Sequence, residues 1–262
     1  MQFELPDFRP HPLVRGGHLQ TVVGNFLPHR SICSSQVQEV ALADGDRIAV
    51  HDDGASAGAS GHEVVKLVHG LGGCYLSGYM LRCSAKLRAR GFRVYRMDLR
   101  GCGAGIGLAR LPLNAGRSED AAAVLAHVHA QHPGARIHVV GFSMGANIVL
   151  KMAGELGADA PAHLASVMAI GPPIDLARCS EAMQRGLNRA YDRRFVRSLI
   201  KHVAERDALV PGALTVPLVP RPRRLVDFDS LFTAPLSGYA DVHDYYARAS
   251  SGPLLKQIGV PT

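Results

Sequence analysis

A mostly parallel α/β fold with helices on both faces is the class this sequence predicts, and three observations carry it. Between residues 63 and 170, short apolar runs of strand length alternate with segments of helical spacing. Glycine-rich stretches fall at the junctions. The 262-residue chain is 47% apolar and 19% charged, enough to bury a sizeable core and too apolar for a disordered one.

Taken in order, residues 1–35 are rich in Pro, Gly, His and Ser and read as an irregular N-terminal arm that packs on a later core. Gln36 to Leu42 and Arg47 to His51 alternate apolar and polar residues around Asp44-Gly45, which predicts an antiparallel hairpin. Asp52 to Gly61 reads as a loop. Glu63 to Val68 is a short apolar run, and Ser77 to Arg90 has helical spacing through Met80, Leu81 and Leu87 up to Gly91. Phe92 to Met97 is the next strand; a glycine-rich loop, Gly101 to Gly107, follows it. Ser118 to His129 reads as a helix with Ser118 as its N-cap, Arg136 to Val140 as a strand, Ala146 to Leu156 as a helix and Ala165 to Ile170 as a strand. After Gly171 the alternation stops. Helical stretches at Glu181 to Asn188, Arg193 to Ala204 and Val242 to Ala249, with a Pro-rich break at Pro211 to Pro222, predict a mostly helical insertion above the sheet. The expected organisation is an arm (1–35), an α/β core (36–171), a helical cap (172–252) and the start of a further core segment (253–262).

Gly141-Phe142-Ser143-Met144-Gly145 is the strongest local signal. It stands between a strand and a helix, the setting in which a serine is held on a sharp turn with its hydroxyl exposed. Such a hydroxyl needs a base to take its proton and donors for the oxyanion that develops during acyl transfer. The Met144 amide, at the helix start, is one candidate donor. A second is the Leu71 amide in the His69-Gly70-Leu71-Gly72-Gly73 turn.

With these motifs assembled, the chain resembles the α/β-hydrolase superfamily, and within it the YheT-like branch of esterases. The resemblance runs through residues 11–21 (HPLVRGGHLQT), His69 to Gly73, Asp98-Leu99-Arg100-Gly101-Cys102-Gly103, Gly141 to Asn147, Phe232-Thr233-Ala234-Pro235 and Asp244-Tyr245-Tyr246. It implies a carboxylic ester hydrolase with Ser143 as nucleophile and Leu71 and Met144 as oxyanion donors. Small acyl esters, lipid-like ones among them, are the implied substrates, with no metal and no organic cofactor.

In that branch the acid and histidine of the triad follow two strands that come after the cap, and this sequence stops as the first of those strands begins. The expectation is therefore a chain that lacks the last strands, the acid and the histidine, roughly 60 residues in all. A triad inside the chain would use Asp175 with His202 or His243; the structural alternative makes Asp175 the cap of a helix and leaves the two histidines on cap helices. Two other function classes stay open: a non-catalytic or binding-only homologue, and a C–C bond or amide hydrolase on the same fold.

Other chemistry is weaker. The glycines from Gly101 to Gly107 cannot be aligned to G-x-G-x-x-G, and His127, His129, His132 and His138 have no carboxylate or Cys to complete a metal set. Lys plus Arg exceed Asp plus Glu by 29 to 22, but the basic residues are scattered, which argues against nucleic acid. Arg221, Arg223 and Arg224 read as a solvated loop, with an anionic headgroup contact as the alternative. Met80, Met152 and Met168 read as core filling. Five cysteines without a C-x-x-C pair, no signal peptide and no apolar run of membrane-spanning length predict reduced thiols and a cytoplasmic protein. Oligomeric state has no signal in the sequence.

Overall fold

The computed structural model describes residues 7, 9–28, 35–55, 62–212 and 221–262. Cys33 and most of the Pro-rich break lie outside them. Six strands form one sheet in the order β1-β2-β4-β3-β5-β6. The hairpin of β1 (Gln36–Ala41) and β2 (Arg47–Asp52) turns at Gly45, whose φ of 87° only glycine adopts without strain. β2 joins β4 (Arg93–Met97) antiparallel; β3 (Glu63–Val68), β5 (Arg136–Phe142) and β6 (Leu164–Ile170) continue the sheet in parallel.

Alternate residues of the central strands serve opposite faces. Val65, Leu67 and Val94 pack with Met80 and Leu87 of α2 (Gly78–Arg88). Val64, Val68, Ile137 and Val139 pack with Val124 and Val128 of α3 (Ser118–Gln131) and with Ile148 and Met152 of α4 (Met144–Leu156). On that second face Lys66 is fully buried, with Nζ donating to the Ala121 carbonyl at 2.6 Å, and burial brings its pKa down to about 7.

The segment after β6, expected as a cap, contains α5 (Leu176–Met183), α6 (Asn188–Leu209), α7 (Leu225–Phe228), a π-helical turn (Asp229–Thr233), α8 (Ala234–Leu236) and α9 (Val242–Ala249). It has its own apolar cluster, Leu199 and Val203 against Phe228 and Phe232, with Leu71 of the core packed on it.

Several expectations change. The N-terminal arm is not wholly irregular: α1 (Gly17–Phe26) carries Leu19, Val22, Val23 and Phe26 at helical spacing. His18 stacks on Tyr191 of α6, and Arg82 of α2 donates to the Gly24 and Leu27 carbonyls. Ser118 is the first residue of α3 rather than its cap, because its hydroxyl bonds Gly116 O and the Glu155 carboxylate. α5 starts five residues before the expected Glu181, since Asp175 caps it by accepting from the Arg178 amide. Met168 is not core: it is 58% exposed on β6, the outermost strand among the described residues, while Met80 and Met152 are buried. Arg221, Arg223 and Arg224, by contrast, do lie exposed in the loop before α7, where Arg224 pairs with Asp227.

Candidate active site

Ser143 is the one non-glycine residue at positive φ among the described residues, with φ 52° and ψ −119°. A side chain held there costs of order 1–3 kcal/mol, so the surrounding structure must impose it. Part of that constraint comes from the Ser143 amide, which donates to Ile170 O at the end of β6 (2.9 Å). Another part is the crowding at the two flanking glycines. A Cβ on Gly141 would lie 2.5 Å from the Gly145 carbonyl, and one on Gly145 would lie 2.3 Å from the His69 carbonyl. Strand β5 therefore turns into α4 with no room for a side chain at position 141 or 145, and the serine side chain between them is left exposed.

The turn after β3 meets this serine. A Cβ on Gly70 would stand 2.9 Å from Ser143 Cβ and 3.6 Å from its Oγ. His69 sets the shape of the turn. The Leu99 amide donates to His69 Nε2 (3.0 Å), so Nδ1 carries the proton and donates to Gly70 O (2.8 Å). That ring is fully buried, which lowers its pKa and keeps it neutral. Tyr79 accepts the Gly70 amide through its hydroxyl (2.9 Å), and the Gly73 amide closes the turn on Gly70 O (3.0 Å). The amides of Leu71 and Met144 are absent from the hydrogen bonds of the described residues, as free donors would be.

Asp98 supports the same region from below. Its carboxylate accepts the Tyr75 and Ala104 amides at 2.7 and 3.0 Å and lies 3.0 Å from His51 Nε2. Gly103 has to be glycine, because a Cβ would fall 2.4 Å from the Asp98 oxygens. Arg100 in the same segment is buried against Asp44, Asp46 and Asp120.

Ser143 and Met144 open on a cavity of about 280 Å³ beneath the cap. Leu71, Leu199, Phe228, Phe232, Tyr245 and Tyr246 give it a largely apolar wall. His202 lines this cavity too; its Nε2 is buried without a partner, and burial lowers its pKa. Asp175 and His243 line a separate groove, away from Ser143. Among the described residues, no histidine or carboxylate is hydrogen-bonded to Ser143, and Asp175, His202 and His243 are not brought together.

Three supporting residues carried no role in the sequence. Asn147 is wholly buried in α4, donates to Ala115 O and Ala249 O, and accepts the Ser251 amide, which ties the cap to the core beside the serine. Arg206 reaches from α6 to the carbonyls of Ala109, Arg110 and Leu111. Asp229 lines the cavity from the π-helical turn. Only Asn147 had a visible signal, its place at the end of the Gly141 to Asn147 motif.

A family model described as alpha/beta hydrolase fold matches residues 63–206. YheT of Escherichia coli (strain K12), provisionally named an esterase, is 30% identical over 94% of this chain and 72% of its own length. The phospholipase ABHD3 of Mus musculus is 27% identical over 92% of this chain, which spans only 60% of that relative. Among solved structures, an esterase of Pyrococcus furiosus superposes with a TM-score of 0.50 over 68% of this chain and 63% of its own, at 20% identity, a likeness of fold alone.

Proposed function

Because the chain belongs to the α/β-hydrolase family, with YheT among its relatives, we propose that it is a serine hydrolase of carboxylic esters. Ser143 is the nucleophile, and the amides of Leu71 and Met144 are the oxyanion donors. One observation carries the reading: the strained Ser143 turn packs against the Gly70 turn, which supports an exposed hydroxyl near the start of the helix and the glycine-rich turn that carry the two proposed donors. Relatives named as esterase and phospholipase support hydrolase chemistry on this fold.

In this mechanism the Ser143 hydroxyl adds to the ester carbonyl, the oxyanion is held by the two amides, and the alcohol departs to leave an acyl-serine that water cleaves. Proton transfer needs a base. We place the acid and histidine of the triad outside these 262 residues, since no described carboxylate and histidine pair on Ser143 and the relatives are longer than this chain. The apolar cavity suits an acyl chain, lipid-like esters included.

Hydrolysis of p-nitrophenyl butyrate by the protein from its native source, lost when it carries Ser143→Ala, is the expected result. Equal rates in the two proteins would overturn the assignment. No turnover of esters, amides or C–C substrates by the protein from its native source would favour a binding-only homologue.

A further inference from the structure

Asp229 is a buried carboxylate that pairs with no cation among the described residues. It is 7% exposed, stands on the π-helical turn, and lines the same cavity as Ser143. Among the described residues two hydroxyls bind it: Thr233 Oγ1 donates to Oδ1 and Tyr246 donates to Oδ2, each at 2.8 Å. Ser180 of α5 extends the set, with Oγ 3.3 Å from the Tyr246 oxygen. All four residues line the cavity and come from three separate cap elements.

A carboxylate offers about four lone-pair positions, so two stay open here. Among the described residues no lysine, arginine, histidine or backbone amide fills them. Arg206, which also lines the cavity, is bound to three backbone carbonyls instead, and Asp192 is the charged neighbour that Asp229 senses. Burial, and after it Asp192, pushes this carboxyl up to about 6. Such a group costs stability unless it is hydrogen-bonded in use. π-helical turns are frequent at functional sites, and this one sets both Asp229 and Thr233 at the cavity wall.

We propose that Asp229, with Tyr246, Thr233 and Ser180 around it, is a subsite for an aliphatic hydroxyl, so that the favoured ester carries a free hydroxyl on the part held beneath the cap. This deepens the hydrolase reading and rests on it for the word ester. A hydroxyl fits better than an ammonium group for two reasons. It extends a network already made of hydroxyls. It also enters a largely apolar cavity at far lower desolvation cost than a cation. The cavity has room for a ligand of about nine water volumes at ~30 Å³ each, the size of an eight-carbon chain.

Calorimetric binding of 1-octanol, its isomer 1-methoxyheptane, which has no O–H to donate, and octyltrimethylammonium to the wild type and to Asp229→Asn tests this. 1-Octanol is expected to bind about tenfold more tightly than 1-methoxyheptane, as a charge-assisted hydrogen bond gives. That advantage should fall to within about twofold in Asp229→Asn. No hydroxyl advantage, an advantage that survives Asp229→Asn unchanged, or tighter binding of the ammonium ligand would overturn the proposal. Should Asp229→Asn not fold, Thr233→Val frees a position on Oδ1 and is expected to widen the hydroxyl advantage; a narrower one counts against it. Binding is read without turnover, so absent hydrolysis with an intact hydroxyl advantage sinks the esterase reading alone.

Discussion

Gly70 and Ser143 are packed so closely that a single methyl group on the glycine would lie 2.9 Å from the serine Cβ. The contact joins the turn after β3 to the turn after β5 and limits where the serine side chain can stand. Gly70→Ala is therefore expected to displace the serine rather than unfold the protein. A shift of about 1 Å costs on the order of a hundredfold in rate. Steady-state kinetics on p-nitrophenyl butyrate, with the substitution made in the protein as its native source produces it, should show that fall in kcat with KM little changed and the circular dichroism of the wild type. Unchanged kcat would mean that the contact does not position the reacting oxygen.

Strain at Ser143 has a separate signature. Glycine adopts a φ of 52° freely, so Ser143→Gly should raise stability by about 1 kcal/mol while abolishing activity. For a chain of this size that is a rise of roughly 2–4 °C in Tm by calorimetry. A lower Tm would show that the serine side chain supplies more binding than its backbone costs.

Asn147 holds three backbone groups at once, from residues 115, 249 and 251. Asn147→Ala leaves them buried without partners and is expected to cost about 3 kcal/mol in urea unfolding. Amide exchange at Ser251 should speed up in step. A loss below about 0.5 kcal/mol would mean that water replaces the side chain at no cost.

How much of this was legible beforehand follows from where the information sits. The run from β3 to β6 could be read because each element announces itself locally, and the elbow needed only a serine between two glycines at a strand-helix junction. The ends of the cap helices could not. α6 is rich in arginine, and the stripe that orders it, Leu199 and Val203, is defined by Phe228 and Phe232, some thirty residues on. Met168 misled because its chemistry is that of a core residue, whereas its exposure depends on which strand lies beside β6. Asp229 gave no sign at all: an aspartate among the mixed residues 225–233 becomes a buried carboxylate only once Tyr246 and Thr233 close around it.

Lys66 gives a prediction in pH. Its pKa of about 7 in the folded chain compares with about 10.4 when unfolded. Between those values the unfolded chain binds the extra proton, so the contribution of Lys66 makes stability rise as pH climbs from about 7 to about 10. Below pH 7 the buried ammonium exerts its full penalty. Lys66→Met should thus be more stable than the wild type at pH 6, by about 1–4 kcal/mol in urea unfolding, and the two should converge near pH 10. A difference independent of pH would contradict the buried, neutral amine.

The central claim is that the hydroxyl at position 143 is the nucleophile. Treating the protein from its native source with a fluorophosphonate probe and mapping the adduct by mass spectrometry tests it most directly. The account predicts one adduct, on Ser143, and none in Ser143→Ala. An adduct on another residue, or equal labelling of the two proteins, would contradict it.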